Sequence, residues 1–148
     1  MLPSLEILLA LPFAMAAAVV ATRGVSRGQL AWLAAAAPLL GMAILAWLTP
    51  AVLGGQVVGS QHAWLPQIGL AFTLRMDGLA WMFAWLVLAI GALVVMYAHY
   101  YLDAKDSASR FYCYLLLFMG AMLGVVLAGN LLLLVVFWEL TSISSFLL

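Results

Sequence analysis

The last part of the sequence, from Phe111 to Leu148, carries a single charged side chain, that of Glu139. One straight helix over this stretch would reach about 57 Å at 1.5 Å per residue, whereas the hydrocarbon core of a bilayer is about 30 Å thick. The stretch must therefore fold back on itself, and Gly129-Asn130 near its midpoint provides the turn signal. The sequence predicts two helices here, over residues 111–128 and 130–148.

The rest of the chain is similarly apolar. Of the 148 residues in the whole sequence, 69% are hydrophobic and 7% are charged, whereas charged residues make up about 25% of a soluble globular domain. Three more segments are long and apolar enough to span a bilayer, and they cover residues 4–22, 30–48 and 78–97. The predicted fold class is an all-α polytopic membrane protein, a single domain over residues 1–148 with about five transmembrane helices in the lipid bilayer.

Composition and motifs exclude several classes of function. The formal net charge is +0, so no overall field attracts nucleic acid. The one cysteine, Cys113, cannot form an intrachain disulfide and lacks the spacing of a metal site. The sequence has no Gly-rich phosphate loop, metal-ligand cluster or nucleophile triad. We therefore expect no cofactor, no bound metal and no nucleic-acid partner.

Basic residues orient the predicted bundle, because cytoplasmic loops carry an excess of lysine and arginine. Arg23 and Arg27 follow the first predicted helix, and Lys105 and Arg110 follow the third. With five spans, both loops lie on one side, which is predicted to be cytoplasmic. The N-terminus then faces outward and the Leu148 end inward, in a multi-pass protein.

The outer connection between the second and third helices is predicted to contain a short β-hairpin. Period-two alternation, which indicates a half-buried strand, runs through four apolar residues, Leu70, Phe72, Leu74 and Met76. The segment 56–58 is the candidate partner strand. Arg75 and Asp77 point to the same side of the strand and are expected to pair, while Asp77 could equally cap the third helix.

Glu139 is the main candidate functional residue, since a carboxylate at the middle of a span costs roughly 2.5–3.5 kcal/mol on insertion scales. Such groups face a bundle interior, have a partner and usually belong to an ion or proton path. At about 100° per residue, one polar arc of roughly 160° contains Glu139, Ser142, Ser145 and Thr141. We expect this arc to face protein or water and its hydroxyls to line a proton route. The alternative is a structural carboxylate that only bonds a neighbouring helix.

Two other titratable side chains have weaker claims to a function. His99 could collect protons at the inner surface, because histidine titrates near neutral pH. It lies among the tyrosines that end the third helix, however, and aromatic residues also serve as interfacial anchors. Glu6 is expected to be a helix-end charge, since a carboxylate in a first turn suits the helix dipole.

No basic residue of this chain can reach Glu139 at the membrane centre. Lys105 is the one lysine and lies in a loop, and every arginine lies in a loop or at a helix end. The partner is therefore expected on another chain or on residues that this chain lacks. The final apolar run stops at Leu148 with no basic flank, which predicts the N-terminal part of a longer subunit.

The segment from Asn130 to Leu148 closely resembles the fifth helix of the A-type subunit of the Mrp-type multisubunit monovalent cation/proton antiporters. Its Trp138-Glu139 pair also resembles the antiporter-like membrane subunits of respiratory complex I and of membrane-bound hydrogenases. Complex I members usually follow this pair with glycines, so the hydroxyl residues that follow it here favour the Mrp family. The resemblance extends upstream to Arg110-Phe111-Tyr112 and to the stretch from Trp64 to Leu79.

This resemblance implies a specific role for Glu139. It would be the helix-five glutamate that pairs with a lysine on a later helix of the same subunit. Proton movement would be coupled to movement of Na⁺ or another monovalent cation, within a complex that contains other membrane subunits. In that family, helices four to eight form one of two inverted repeats, and this chain contains only the first two of those helices.

Two other interpretations stay open. The chain could be part of a proton-pumping membrane subunit of complex I or of a membrane-bound hydrogenase, although it carries no redox centre. It could also be a truncated product with a structural role alone. Neighbouring genes would separate the first two classes, because small membrane subunits favour Mrp, whereas flavin and iron–sulfur subunits favour complex I.

Overall fold

The computed structural model describes residues 4–22, 24–68, 70–103 and 107–148. Within these ranges the chain forms five α-helices and one two-stranded antiparallel sheet, whose strands are joined by a short 3₁₀ turn. In chain order the elements are α1 (Ser4–Ala21), α2 (Arg27–Leu53), β1 (Val58–Leu65), β2 (Leu70–Met76), α3 (Gly78–Tyr101), α4 (Ala108–Leu127) and α5 (Leu131–Leu147). The predicted fold class, helices with a hairpin between the second and third, is confirmed.

Four of the described helices, α1 to α4, are long and apolar enough to cross a membrane. The fifth, α5, has 17 residues. Its length of about 25 Å places it at the lower end of the range for a spanning helix. The chain is therefore a multi-pass membrane protein in which α5 is the shortest of the described apolar helices.

The helix α2 is longer than the predicted segment 30–48, with 27 residues. It begins after Ser26, whose Oγ accepts a hydrogen bond from the backbone N–H of Gln29 at 3.3 Å. The Gln29 side chain accepts in return from the N–H of Ser26 at 3.2 Å, which completes a capping box. This reciprocal cap satisfies two backbone donors and sets the start of the helix ahead of its apolar run.

The helix α4 is central, since it contacts each of the other four helices. Its largest fully buried side chains are Tyr112, Leu116, Leu123 and Leu127. By contrast, α5 packs chiefly on α4, with further contacts to β2. It therefore lies at the edge of the bundle, with one side covered and the other open.

The predicted strand is confirmed as β2, in which Leu74 and Met76 are fully buried and Arg75 between them is exposed. Its partner β1 begins at Val58, which lies opposite Met76. The predicted partner 56–58 was therefore wrong except for its last residue. At the middle of β1, Gln61 and His62 are polar and exposed, so no apolar alternation marks this strand.

The acidic residue that follows β2 has both of its predicted uses. Asp77 forms an ion pair with Arg75 at 3.8 Å, and both side chains are exposed to a large extent. It also caps α3, because its Oδ1 accepts a hydrogen bond from the N–H of Ala80 at 2.9 Å. The cap is the stronger contribution, since exposed ion pairs contribute little to stability.

The two basic connections lie together at one end of the bundle. The Arg27 guanidinium donates to the carbonyls of Leu102 at 3.1 Å and Asp103 at 2.6 Å, which joins the start of α2 to the end of α3. At the same end, Ser109 of α4 donates to the carbonyl of Val19 in α1 at 3.2 Å. The hairpin lies at the opposite end of these helices. Arg23 and Lys105, which the orientation prediction also used, lie outside the described residues.

Candidate functional site

Glu139 lies midway along α5, and its side chain is exposed. Nothing in the described part of the chain forms a hydrogen bond or an ion pair with it. The expectation that its partner lies outside this chain stays a prediction. The carboxylate is in the middle of an apolar helix and is not neutralised by this chain's own described residues.

The face that α5 presents to α4 is opposite the carboxylate. Its buried residues are Leu133, Phe137 and Ser144, which are 1%, 8% and 2% exposed. At 100° per residue these three positions fall within about 40° of one another. Glu139 lies roughly 140° from their centre. It therefore points away from α4 and toward the open side of the helix.

Two of the three predicted hydroxyl residues share the open side with Glu139. Ser142 and Ser145 are exposed, whereas Thr141 is half-buried at the boundary between the open and covered sides. The hydroxyls of Thr141 and Ser142 both donate to the carbonyl of Trp138, at 2.5 and 3.4 Å. Both hydroxyl donors are therefore satisfied within α5. The lone pairs of the two hydroxyl oxygens remain able to accept hydrogen bonds from water or from another helix.

The hydroxyl that helical periodicity leaves out of this arc is Ser144. It is buried, and its Oγ donates to the carbonyl of Leu140 at 2.7 Å within the same helix. The backbone bond allows a polar side chain to lie in the contact with α4 without an unsatisfied donor. Ser144 therefore belongs to the packing face and not to the arc.

The structure does not bring His99 together with Glu139. His99 is exposed near the end of α3, with its ring edge-on to Tyr100 at 5.0 Å between centroids. It lines a cleft of 480 Å³ between α2 and α3, whose other walls are mostly apolar. Tyr97 and Tyr101 stack on each other with 5.1 Å between ring centroids. Whether His99 collects protons or belongs to an interfacial anchor stays open.

Three contacts that position α5 were not predicted from the sequence. The Asn130 side chain caps the helix, because its Oδ1 accepts from the N–H of Leu133 at 2.8 Å. Its Nδ2 donates to the carbonyl of Ala71 in β2 at 2.7 Å. Further along, the Phe137 ring lies directly on the backbone of Gly124 in α4. The one available signal was the Gly129-Asn130 dipeptide, which indicated a turn and not a tie to the hairpin.

A second carboxylate, that of Glu6, is more than a helix-end charge. Its Oε1 lies 3.0 Å from Nε2 of His62 and accepts a hydrogen bond from Ser60, both of which are on β1. The first turn of α1 is thus bound to the hairpin. Across the described ranges, no group of three or more histidine, cysteine or acidic side chains is placed to hold a metal ion.

Similarity to known proteins covers nearly the whole chain. Residues 64–112 match the family model described as NADH-ubiquinone oxidoreductase (complex I), chain 5 N-terminus. The chain is 49% identical over 144 residues to a Rhizobium meliloti protein named as the probable A/B subunit of a K(+)/H(+) antiporter, which covers 97% of this chain and 14% of that protein. It is 45% identical over 122 residues to the A1 subunit of a Na(+)/H(+) antiporter of Staphylococcus aureus, which covers 82% of this chain and 15% of that one.

Two solved structures have the same fold. A chain in the structure of the Mrp complex from Dietzia sp. DQ12-45-1b matches with a TM-score of 0.82 and 32% identity, over 97% of this chain and 15% of that chain. A chain of the membrane-bound sulfane sulfur reductase, an archaeal respiratory membrane complex, matches with a TM-score of 0.79 over 97% of this chain and 22% of that chain. At 23% identity, the second likeness shows the fold alone.

These comparisons confirm the resemblance found in the last helix. The chain spans 14% and 15% of the length of the two curated relatives. It therefore belongs to the family of the Mrp antiporter A-type subunits, of which it matches the N-terminal part, and it is related to the N-terminal region of complex I chain 5.

Proposed function

We propose that this chain is the N-terminal membrane portion of a proton-translocating subunit of a multisubunit monovalent cation/proton antiporter, with Glu139 as a proton relay. Support for antiport comes from the relatives, which are named as K(+)/H(+) and Na(+)/H(+) antiporter subunits. Support for the relay comes from one observation above all. Glu139 lies midway along an apolar helix, on the side that the rest of the described chain leaves open.

A carboxylate at that depth is too costly to face lipid as an isolated charge. The open side of α5 is therefore covered by further protein, and we place the basic partner of Glu139 there. In keeping with the family resemblance, that partner is a lysine on a later helix of the same subunit. The paired carboxylate binds a proton when the cation withdraws and releases it when the cation approaches.

The hydroxyls beside Glu139 supply the polar part of the route. Ser142 and Ser145 extend along the open side of α5, away from the hairpin end, and Thr141 lies at its edge. Small hydroxyl residues let a neighbouring helix approach closely and can hold a short water chain. His99, in the separate cleft between α2 and α3, would collect protons at the surface and does not contact the relay.

We propose that the end of the bundle with Arg27 and Arg110 faces the cytoplasm of a bacterial cell, because basic loops favour that side. The start of α1 and the hairpin then face outward, and the Leu148 end faces inward. The partners of the chain are the other membrane subunits of the antiporter complex, protons, and Na⁺ or another monovalent cation. The activity belongs to transport and not to enzymatic catalysis.

A complex I-type proton pump is the second candidate, favoured by the match of residues 64–112 to the chain 5 family model. The relatives that cover most of the chain are antiporter subunits, so antiport is the stronger proposal. Flavin and iron–sulfur subunits encoded beside this gene would support the pump.

The relay is tested by Glu139→Gln in the complete antiporter, assayed in inside-out vesicles that hold an imposed pH gradient. Addition of Na⁺ or K⁺ collapses the gradient in the parent, and we expect the variant to assemble and lose this exchange. Glu139→Asp should exchange slowly, because the carboxyl group retreats by one carbon from its partner. The matched control is Glu6→Gln, which still accepts from Ser60 and His62 and should retain exchange. Normal exchange by assembled Glu139→Gln would contradict the relay.

A further inference from the structure

The Asn130 side chain joins two elements that are distant in sequence. Its Oδ1 accepts the N–H of Leu133 at 2.8 Å, which is the N-cap bond of α5. Its Nδ2 donates to the carbonyl of Ala71 in β2 at 2.7 Å. One amide group thus satisfies the start of the helix and attaches that start to the hairpin. Only a side chain with both an acceptor and a donor can make these two bonds.

The backbone beside Asn130 makes the same attachment. The N–H of Gly129 donates to the carbonyl of Thr73 at 2.7 Å, and Ala128 forms an antiparallel bridge with Leu74. The α4–α5 turn therefore runs along β2 like a short third strand. A Cβ on Gly129 would lie 2.6 Å from Cγ2 and 2.9 Å from the carbonyl oxygen of Thr73. Only glycine permits this close approach without displacement of β2.

The hairpin is itself held at its other strand. Glu6 in the first turn of α1 binds Ser60 and His62 of β1. The start of α5 is therefore attached to α1 through both strands of the hairpin. From Asn130 to Glu139 the helix rises about 13 Å in two and a half turns. A change in the height or rotation of the cap is carried along this rigid helix to the carboxylate.

We infer that Asn130 is a positioning residue for Glu139. Through its bond to Ala71, it sets the depth and rotation at which α5 presents the carboxylate on the open side. This inference rests on the proposed relay role of Glu139. It assigns the hairpin a function in the relay, as the fixed support of α5.

Asn130→Asp separates the two bonds. Aspartate is as good an N-cap as asparagine, so α5 keeps its cap, but the variant has no donor for the Ala71 carbonyl. Asn130→Ser serves as the second variant, without a charge. Serine is an equally good N-cap, and its hydroxyl can donate, but it is one atom shorter than the amide and does not extend to the Ala71 carbonyl. The control is Ser107→Ala, which removes the N-cap of α4 at the other end of the bundle and leaves the hairpin intact.

The readouts are exchange rate against pH in vesicles, and maleimide labelling of Ile143→Cys, one turn beyond Glu139, in a Cys113→Ala background. For both Asn130 variants we expect normal assembly, a loss of exchange on the order of tenfold, a shifted pH profile and a changed labelling rate. Ser107→Ala should match the parent in all of these. The pH profile distinguishes the two cases, because a purely structural defect would lower the exchange rate without shifting the pH at which exchange is fastest.

The inference is overturned if both Asn130 variants keep the parental pH profile and labelling rate while Glu139→Gln is inactive. Failure of the relay itself looks different, because Glu139→Gln would then exchange normally. A changed labelling rate with an unchanged pH profile would also overturn the inference, since α5 would have moved without consequence for the carboxylate.

Discussion

The contact between Phe137 and Gly124 gives the most direct test of how α5 is held. A Cβ built on Gly124 would lie 2.6 Å from Cδ2 of the Phe137 ring, and closer still to Cγ and Cδ1. Carbon atoms pack at about 3.5–4.0 Å, so Gly124→Ala must displace the ring by about 1 Å. Because these three atoms include Cγ, where the rigid ring joins its side chain, movement of the far end of the ring alone cannot relieve the contact.

The expected cost follows from how little else secures α5. Its buried side chains are Leu133, Phe137 and Ser144, and helices in lipid associate through packing and not through the hydrophobic effect. Overpacking of a tight contact costs about 1–3 kcal/mol. If α5 opens from α4 as a unit, this cost raises the open fraction by roughly 5- to 150-fold.

The assay is maleimide labelling of Ser144→Cys in the complete subunit in its membrane, with Cys113→Ala to remove the native thiol. Ser144 is 2% exposed, so its cysteine reacts only when α5 separates from α4. We expect Gly124→Ala to accelerate labelling by roughly 5- to 150-fold. Gly124→Ala with Phe137→Leu should restore the slow rate, because the smaller side chain leaves room for the methyl group.

The matched control is Gly78→Ala, since a Cβ at Gly78 meets nothing within 4 Å. This control should leave labelling unchanged. Labelling of Gly124→Ala at the control rate would refute the reasoning. Acceleration that Phe137→Leu fails to reverse would refute it as well, because the defect would then lie elsewhere.

Two further predictions concern the neighbouring helices, and thermal unfolding of the purified complex checks both. Asp77→Ala removes the N-cap of α3 and should lower the free energy of unfolding by about 1 kcal/mol, whereas Arg75→Gln should lower it by less than about 1 kcal/mol, because the ion pair is exposed. Equal losses of stability in the two variants would contradict the dominance of the cap. Gly91→Ala should leave the stability nearly unchanged, because the added methyl group meets the flexible end of the Met119 side chain and alanine favours the helix by about 1 kcal/mol over glycine. A loss of stability as large as that of Gly124→Ala would contradict this expectation.

The features that the sequence predicts well are those determined by local chemistry. Long apolar segments must become helices because lipid offers no partner for an exposed backbone, and all five are present in the described chain. The strand β2 follows from its alternation, and the capping role of Asp77 follows from its place before an apolar run. The position of Glu139 midway along α5 also follows from the pattern, while its role as a relay stays a prediction.

The features that sequence reasoning missed depend on which elements meet in space. The strand β1 carries Ser60, Gln61 and His62 in succession, so its pairing with β2 left no apolar alternation in the sequence. In the sequence, Asn130 indicates only a turn, because its bond to β2 depends on the folded arrangement. No local sequence pattern indicates that Gly124 and Phe137 are in contact. His99 and Glu139 could be grouped in sequence because both titrate, but they lie against different neighbours. Such relations belong to the tertiary arrangement and not to any one segment.

The bonds of Arg27 have a consequence for experiments on topology. A charge reversal at this position, the usual way to test which loops stay in the cytoplasm, would also release the carbonyls of Leu102 and Asp103 that hold the second and third helices together. Inverted insertion and simple misassembly would then give the same loss of protein. Arg110 is exposed, and it counts equally as a basic residue in the positive-inside rule. A charge reversal at Arg110 therefore tests insertion with less damage to the bundle.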